Sequence, residues 1–375
     1  MNAHDRLLAA LSHEEPDRVP TFSQTLEQGF LKAYDQEVEL QDDYGFADVQ
    51  LMVAKELGFD AHWVHFGFSQ APERGKPEIP LDLRPQMEKY VIGDGGEIFG
   101  KNEKGEDWYV GGILKTPELL QEWTDYVHTF KLADEAKYAT FADTWKHGCE
   151  VDCVPIPTAG SPIYSTWSGI GMGRVAYMMR KFPSLVEGLL DAWTNLCIEG
   201  HKRLFELGAT MVFVCDDHAQ KDRGFFSPAQ FEHFFEPVYT RLSENAHRHG
   251  AKFLLHTDGY LVDEMPNLVR AGVDAAEPLE YEAGNRLGPL KERYGKNIAF
   301  IGNVPASEVL CFGTVDDTIH STKTCIRDAG EGGGLVLAAG ANILATSRVA
   351  NVQAMITTTR EYGTYPLDFT RLQDS

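Results

Sequence analysis

The chain has 375 residues, of which 43% are hydrophobic and 24% are charged, and its formal net charge is -22 at pH 7. This composition is typical of a globular protein with a sizeable core, and the acidic excess argues against nucleic acid or an anionic membrane as a partner. The N-terminal residues lack the pattern of a secretory leader, and no segment approaches the ~20 apolar residues of a transmembrane helix, so we expect a cytoplasmic protein.

The first half of the chain contains three predicted strands, at 18–22, 60–66 and 152–155, and the third leads to a long amphipathic helix at 184–207. Between the second and third strands, residues 89–112 alternate in polarity around Gly95-Gly96 and Gly105. Alternation interrupted by glycine predicts an antiparallel β-hairpin inserted between these strands. We expect this hairpin to lie over the fold as a lid.

In the second half of the chain, short apolar segments alternate regularly with helical patterns. The predicted strands lie at 209–214, 251–255, 273–279, 297–301 and 334–337. Strands that alternate with helices at this spacing indicate a parallel sheet with right-handed crossovers. Together with the first three they make eight, so the sequence predicts an α/β fold, a single (β/α)8 TIM barrel domain over residues 1–375.

Two of these strands end in titratable residues. Asp216-Asp217-His218 follows the strand at 209–214, and His256-Thr257-Asp258-Gly259 follows the apolar run 253–255. The carboxyl ends of barrel strands carry the chemistry of this fold, and an imidazole two residues from a carboxylate suits metal ligation or proton transfer. A lone histidine there is more often a loop hydrogen-bonding group, but two such strand ends together favour a site.

We therefore predict a catalytic site made of Asp217, His256 and Asp258. Side chains at the other strand ends are predicted to bind the substrate. On the second strand His62 and His65 lie on opposite faces, so only one of them points into the barrel. We predict that it is His65, because His65 is nearer the carboxyl end of the strand. The predicted substrate-binding residues are Glu27, His65, Tyr164, Trp167, Glu277 and Asn303.

Several segments along the chain resemble the uroporphyrinogen decarboxylase superfamily. They are Arg-Leu-Leu-Ala-Ala-Leu at 6–11, Pro-Asp-Arg-Val-Pro at 16–20, the segment 227–237 that begins Ser-Pro, His-Thr-Asp-Gly at 256–259, Gly-Val-Asp at 272–274, Gly-Asn-Val at 302–304 and Asn-Val at 351–352. The resemblance implies a (β/α)8 barrel, often a homodimer, with its active site at the carboxyl ends of the strands.

Departures from two branches of the superfamily narrow the expected chemistry. Uroporphyrinogen decarboxylase has an arginine-rich loop after strand one that binds substrate carboxylates, whereas residues 21–27 contain no arginine here. The methylcobamide:coenzyme M methyltransferases hold zinc with a His-x-Cys pair and a later cysteine. In this chain the pair is His256-x-Asp258 and the last strand ends in Gly340-Ala341, so both thiolates are missing.

A third branch transfers a methyl group from methoxylated aromatic compounds to a corrinoid protein. Resemblance to it implies zinc bound by histidine and carboxylates, for which Asp217, Glu236 and His256 are candidates, and Tyr164, Trp167 and Phe66 would form an aromatic pocket. The sequence lacks the Asp-x-His-x-x-Gly motif of corrinoid-binding modules. We therefore expect a cobamide-dependent methyltransferase whose corrinoid (cobalamin) acceptor is free or arrives on a separate protein.

Three alternatives remain open on the sequence alone. His256 and Asp258 would also serve as a metal-free acid/base pair, with Asp217 orienting the substrate. Such a pair fits a decarboxylase that acts on an aromatic or pyrrolic acid. The chain is also compatible with a non-catalytic protein that binds a small ligand.

Overall fold

A computed structural model describes residues 1–35, 45–72, 77, 90–102, 105 and 107–373. Parallel and antiparallel strands make three sheets. The strands are β1 (Phe22–Ser23), β2 (Ala61–His65), β3 (Ser69–Gln70), β4 (Tyr90–Ile92), β5 (Glu97–Lys101), β6 (Asp107–Gly112), β7 (Lys131–Leu132), β8 (Val154–Thr158), β9 (Met211–Cys215), β10 (Lys252–His256), β11 (Ala275–Glu277), β12 (Ala299–Val304) and β13 (Leu335–Ala339).

The helices surround the largest sheet. They are α1 (Ala3–Leu11), α2 (Gln28–Tyr34), α3 (Gly45–Leu57), α4 (Pro117–Val127), α5 (Glu135–Glu150), α6 (Pro162–Ile170), α7 (Met172–Lys181), α8 (Pro183–Glu206), α9 (Pro228–Gln230), α10 (Glu236–Arg248), α11 (Met265–Arg270), α12 (Leu287–Tyr294), α13 (Val315–Ala329) and α14 (Val349–Tyr362), with π-helical segments at Phe231–Phe235 and Ala306–Cys311. Within the described ranges, no helix is both long and apolar enough to cross a membrane.

The largest sheet is a barrel of eight parallel strands in the order β1-β2-β8-β9-β10-β11-β12-β13. Parallel bridges from Thr21 to Leu337 and from Leu26 to Ile343 join the first strand to the last. The strands read as apolar runs because both of their faces are buried; Phe253, for example, is fully inaccessible. This confirms the predicted α/β barrel, although the third strand begins at residue 154 rather than 152.

A buried ion network fixes the amino end of the barrel. The carboxylate of Asp60, just before β2, accepts hydrogen bonds from Arg6 and Arg18 at 2.7 Å and from the Thr21 backbone at 2.8 Å. Arg6 also binds Asp17. Charged groups this deeply buried require full pairing, so the network ties α1 and the segment before β1 to the entry of β2.

The insertion between the second and third barrel strands is larger than a hairpin. The strands β4, β5 and β6 form an antiparallel sheet of three strands, so the prediction of one hairpin over 89–112 was incomplete; residue 89 itself lies outside the described residues. Both neighbouring pairs, β4 with β5 and β5 with β6, are antiparallel, and Gly95-Gly96 and Gly105 lie in the connections between them. The sheet packs on α6, where a Cβ on Gly112 would lie 2.2 Å from the Gly169 carbonyl oxygen, so the contact requires glycine.

Candidate active site

Asp217, His256 and Asp258 meet at the carboxyl edge of the barrel. One ligand atom from each lies within 4.8 Å of the others. Nε2 of His256 is 3.7 Å from Asp217 Oδ1 and 3.9 Å from Asp258 Oδ1. His256 is the last residue of β10, and the two aspartates lie two residues beyond the ends of β9 and β10. Neighbouring parallel strands end at the same edge, so the three predicted catalytic residues converge.

Glu277 orients the imidazole of His256. Its Oε2 lies 2.5 Å from His256 Nδ1, and its Oε1 accepts a hydrogen bond from the side-chain amide of Gln24. Glu277 is fully buried, and it stands in register with His256 on the adjacent strand β11. We predicted that Glu277 binds the substrate; the structure places its buried carboxylate on the Nδ1 side of His256, whereas Asp217 and Asp258 lie on the Nε2 side.

The pKa of His256 reflects this pairing. Burial opposes a positive charge on the imidazole, but the carboxylates of Glu277, Asp258 and Asp217 together outweigh burial and raise the pKa of His256 to about 10. Burial lowers the pKa of His65, and the nearby His256 adds to that effect. In the absence of a metal ion, His256 is therefore an imidazolium, whereas His65 is neutral at pH 7.

Trp63, which the sequence analysis missed, forms one wall beside the histidine. Its ring centroid lies 5.1 Å from that of His256 and 5.3 Å from that of His65, and its indole N–H donates to Thr25. Trp63 and His65 share a face of β2 because they are two residues apart. The alternation that selected His65 therefore also pointed to Trp63. His62 faces the other side, where it contacts Ser23 at 2.9 Å.

The two predicted aromatic residues of α6 have different surroundings. Trp167 is 6% exposed and its indole N–H donates to the backbone oxygen of Asp217 at 2.7 Å, so it supports the loop that carries this aspartate. Tyr164 is partly exposed and packs edge-on against Trp167 at 5.2 Å. Burial raises the pKa of Tyr164 to about 12, and the charges of Glu97 and Asp217 contribute. Tyr164 therefore remains a neutral aromatic group beside the cluster.

Two predicted carboxylates are bound elsewhere. Glu236, predicted as a metal ligand, forms a two-point ion pair with Arg270 on α11 and accepts a hydrogen bond from Asn267. Glu27, predicted to bind the substrate, accepts from the Ala345 backbone at 2.8 Å. Glu27 was predicted from its position after the first strand and Glu236 from the family resemblance, but a partner from another part of the chain binds each one. Asp258 takes the place of Glu236 in the ligand set.

Asn303 and Phe66 also belong to the packing of the fold. The side-chain amide of Asn303 donates to the backbone oxygens of Leu279 and Asn285, and Asn303 is 3% exposed. Phe66 packs against Tyr138 on α5, at 5.2 Å between ring centroids. Both side chains therefore hold neighbouring elements together, and their roles in substrate binding stay predictions.

Asp216 and Asp217 have different roles although they are adjacent in the sequence. Asp216 is fully buried, and its Oδ1 accepts from the backbone N–H groups of Ile163 and Tyr164 in the first turn of α6. Burial raises its pKa to about 7. Only Asp217 enters the cluster, so Asp216 fixes the position of the helix that carries Tyr164 and Trp167.

Two further side chains near the cluster were not predicted. Cys215 stands in register with His256, and burial together with Glu277 keeps the pKa of its thiol well above the usual value. Glu280, in the loop after β11, is close enough to Asp258 for the two carboxyl groups to influence each other electrostatically. Burial raises the pKa of Glu280 to about 7, and the charge of Asp258 adds to this.

A cavity of about 600 Å³ between α3 and α5 lies apart from these residues.

Comparisons with known proteins agree with this architecture. The family model for uroporphyrinogen decarboxylase (URO-D) matches residues 151–362, more than half of the chain. A methyltransferase from Methanosarcina mazei is similar in structure, with a TM-score of 0.69 and 20% identity over 96% of this chain and 99% of that one. A B12-independent methionine synthase from Shewanella sp. W3-18-1 has a TM-score of 0.52 and 12% identity over 92% of this chain and 97% of its own.

The search of curated proteins found no match. The two structural similarities lie below 25% identity and therefore support the fold. The match of the family model covers β8 to β13 with their helices, including both strand ends that carry Asp217, His256 and Asp258. The chain belongs to the uroporphyrinogen decarboxylase (URO-D) family.

Proposed function

We propose that this protein is a methyltransferase that moves a methyl group from a methoxylated aromatic substrate to a corrinoid. The observation that carries the proposal is the convergence of Asp217, His256 and Asp258 within 4.8 Å, with Glu277 fixing the imidazole from behind. One nitrogen and two carboxylate oxygens form a hard ligand set without thiolate, which suits activation of an oxygen atom. The methyltransferase with a similar fold gives the proposal further support.

The cluster fits a zinc ion. Catalytic zinc has three protein ligands and one open position, and a ligating histidine commonly donates its other N–H to a carboxylate. Here Asp217, His256 and Asp258 would hold the ion, and Glu277 is the carboxylate partner of His256. A bound zinc ion would act as a Lewis acid toward the ether oxygen of the substrate. In the metal-free cluster, the imidazolium of His256 would donate a proton or hydrogen bond to that oxygen.

The surrounding residues suit an aromatic substrate. Trp63 lies beside His256 and Tyr164 lies near Asp217, so a substrate ring between them would contact aromatic side chains. Gln24, at the end of β1, holds Glu277 rather than a substrate group. The β1 exit, residues 24–27, contains no arginine, so it offers no partner for the carboxylates of a tetrapyrrole.

The acceptor in this proposal is a separate corrinoid protein or free cobalamin. Direct displacement requires the acceptor atom, the methyl carbon and the leaving oxygen nearly in line, with reacting atoms about 3–3.5 Å apart. The exposed carboxyl edge of the barrel, where Asp217 and Asp258 are 43% and 51% exposed, is open to such a partner. The chain's role is to hold the aromatic ring and stabilise the departing phenolate.

The test is a methyl-transfer assay with Co(I) cobalamin and a panel of aryl methyl ethers. We expect the spectrum of methylcobalamin to develop with the wild-type protein, and Asp217→Ala and His256→Gln to abolish it. Glu308→Gln, at an exposed carboxylate that is not one of the cluster residues, is the matched control and should retain activity. Elemental analysis of protein purified without chelator measures the metal; less than about one-tenth equivalent of zinc would contradict the metal-bound site.

A decarboxylase is the second candidate, and the protonated His256–Glu277 pair favours it. An imidazolium held by a buried carboxylate would protonate the carbon that loses carbon dioxide. If the ethers give no methylcobalamin while an aromatic or pyrrolic acid releases carbon dioxide, the methyltransferase proposal is wrong. If neither reaction occurs but a small aromatic compound binds, the protein is a ligand-binding member of its family.

A further inference from the structure

A buried histidine–glutamate pair lies beside the loop that carries Asp217. Nδ1 of His218 is 2.9 Å from Oε2 of Glu264, and the two side chains are 0% and 5% exposed. His218 directly follows Asp217 in the chain, and Glu264 directly precedes α11. Neither side chain belongs to the cluster of the candidate active site, and the proposed chemistry uses neither of them.

The surroundings of the pair leave little room for either side chain to move. The imidazole of His218 packs edge-on against the ring of Phe231, at 5.3 Å between ring centroids. A Cβ on Gly224 would overlap Oε1 of Glu264, so the backbone passes directly against the carboxylate. Oε1 has no hydrogen-bond partner among the described residues. The carboxylate therefore depends on the contact of its other oxygen with His218.

A gain in stability does not explain this pair. Moving two charged groups out of water costs about as much free energy as their attraction returns, and apolar side chains of similar volume often pack at least as stably in their place. What a buried polar contact adds is direction, because it forms at a narrow range of distance and angle. The contact requires an N–H on Nδ1, which the imidazolium and one neutral tautomer both have, so it does not depend on the charge of His218.

Asp217 lies between two anchored neighbours. On its amino side, the carboxylate of Asp216 accepts hydrogen bonds from two backbone N–H groups in the first turn of α6. On its carboxyl side, Glu264 holds the imidazole of His218. The backbone oxygen of Asp217 itself accepts from the indole N–H of Trp167 at 2.7 Å. The side chain of Asp217 is therefore presented to the cluster by a segment that is fixed at each of its three residues.

The same segment is joined to the loop that carries the other two cluster residues. The N–H of His218 donates to the hydroxyl of Thr257, which lies between His256 and Asp258, at 3.3 Å. The N–H of Asp258 donates to Oδ1 of Asp217 at 3.1 Å. A shift of His218 is therefore transmitted to the separation of Asp217 and His256. Zinc binds nitrogen and oxygen ligands at about 2.0–2.2 Å, so a displacement of about 0.5 Å weakens binding.

We infer that the contact between His218 and Glu264 positions Asp217 opposite His256, so that His218 and Glu264 are positioning residues of the site. For the metal ion the inference rests on the proposed function, whereas the position of Asp217 is a property of the chain alone. Removal of the contact should leave the protein folded, release the segment at Asp217 and weaken the binding of zinc.

The test replaces the pair by apolar residues of similar volume, in the buried-pair variant His218→Leu/Glu264→Met of the full chain. The matched control is the surface-pair variant His233→Leu/Glu187→Met, which makes the same replacements in an exposed pair whose N–O distance is 3.0 Å. Urea unfolding is measured first, and we expect both variants to have a midpoint close to that of the wild type. If the buried-pair variant does not fold, His218→Met/Glu264→Leu takes its place.

Two measurements then follow the position of Asp217. In metal-free protein, NMR measures hydrogen exchange of the indole N–H of Trp167, whose signal is assigned with Trp167→Phe. We expect about tenfold faster exchange in the buried-pair variant, whereas the indole N–H of Trp123, which donates to the backbone of Asp94, exchanges as in the wild type. Competition with a chromophoric chelator should show about tenfold weaker zinc binding. The surface-pair variant should match the wild type in both measurements.

The outcomes separate this inference from the proposed function. Wild-type exchange at Trp167 in the folded buried-pair variant overturns the inference, whatever the zinc affinity, because Asp217 has then not moved. Faster exchange with wild-type zinc affinity also overturns it. Failure of both apolar pairs to fold does the same, since the pair is then required for the fold itself. If the wild type binds no zinc, the proposed metal site is wrong, and exchange at Trp167 alone decides whether the pair positions Asp217.

Discussion

Glu277 Oε2 lies 2.5 Å from Nδ1 of His256, at the adjacent position of the neighbouring strand, and the carboxylate is wholly buried. The contact holds the N–H of the imidazole on Nδ1 whenever Nε2 binds a metal ion or substrate oxygen. A residue predicted to bind the substrate thus determines the orientation and charge of the central residue of the site.

The first prediction concerns this contact. Glu277→Gln keeps the shape and the bond to Gln24, but an amide N–H facing Nδ1 would favour the tautomer that carries its proton on Nε2. We expect the affinity for zinc to fall about 10–100-fold while the protein remains folded. Competition with a chromophoric chelator measures the affinity, and Glu308→Gln serves as control. An unchanged affinity would mean that Glu277 does not orient a ligand.

Removal of His256 should also destabilise the fold. For a residue at a strand end with little core burial, replacement by alanine would cost at most ~1–2 kcal/mol. In the structure this change leaves a fully buried carboxylate without its charged partner, so we expect a loss of about 3–5 kcal/mol. Urea unfolding measures it. Adding Glu277→Gln should restore part of the stability; no recovery would contradict a paired buried charge.

The network at the amino end of the barrel gives a prediction remote from the site. Asp60→Ala removes the carboxylate that binds Arg6, Arg18 and Thr21, and it leaves the buried Arg6 short of a partner. We expect the free energy of unfolding to fall by about 3–5 kcal/mol. The control is Asp222→Ala, an exposed ion-pair residue that should change stability by less than about 0.5 kcal/mol. Similar losses for both variants would refute the structural role of Asp60.

Two histidines that are buried in neutral form should each lower the free energy of unfolding in mild acid, whereas the buried carboxyl of Asp216, whose pKa is raised to about 7, acts in the opposite direction. Burial lowers the pKa of His201 to about 4 and that of His62 to about 3. These two side chains bind protons near pH 6.5 in the unfolded chain but not in the folded chain, so the stability that they contribute above pH 6.5 is lost as the pH falls toward 4. Each histidine should account for about 2 kcal/mol between pH 7.5 and 5.

Denaturant unfolding at the two pH values measures this loss. His201→Gln retains a donor for the Ala159 backbone oxygen, which the ring Nε2 contacts at 2.7 Å, and should make the loss about 2 kcal/mol smaller. His233→Gln, on a surface position that is 60% exposed, is the control and should leave the pH dependence as it is in the wild type. A His201→Gln variant with the wild-type slope would show that His201 does not titrate in this range.

The sequence by itself determined the barrel and the place of the cluster. The strands follow from apolar runs such as 253–255, and parallel strands must end at one edge, so Asp217, His256 and Asp258 were expected together. Two-residue alternation on β2 likewise selected His65, and it would have selected Trp63. Each of these conclusions depends on the periodicity of a segment or on a residue's position within one strand, and both can be read from the local sequence.

Tertiary structure alone decided which polar groups face the cluster. Glu236 binds Arg270, Asn303 binds backbone of the preceding loop, and Glu277 meets Gln24, which is 253 residues away in the chain. Because a buried polar group must find a partner, each side chain turns toward whichever complementary group the fold brings near it. In each case the partner belongs to another element of the fold. The position of a residue along its own segment therefore does not show which partner the residue will bind.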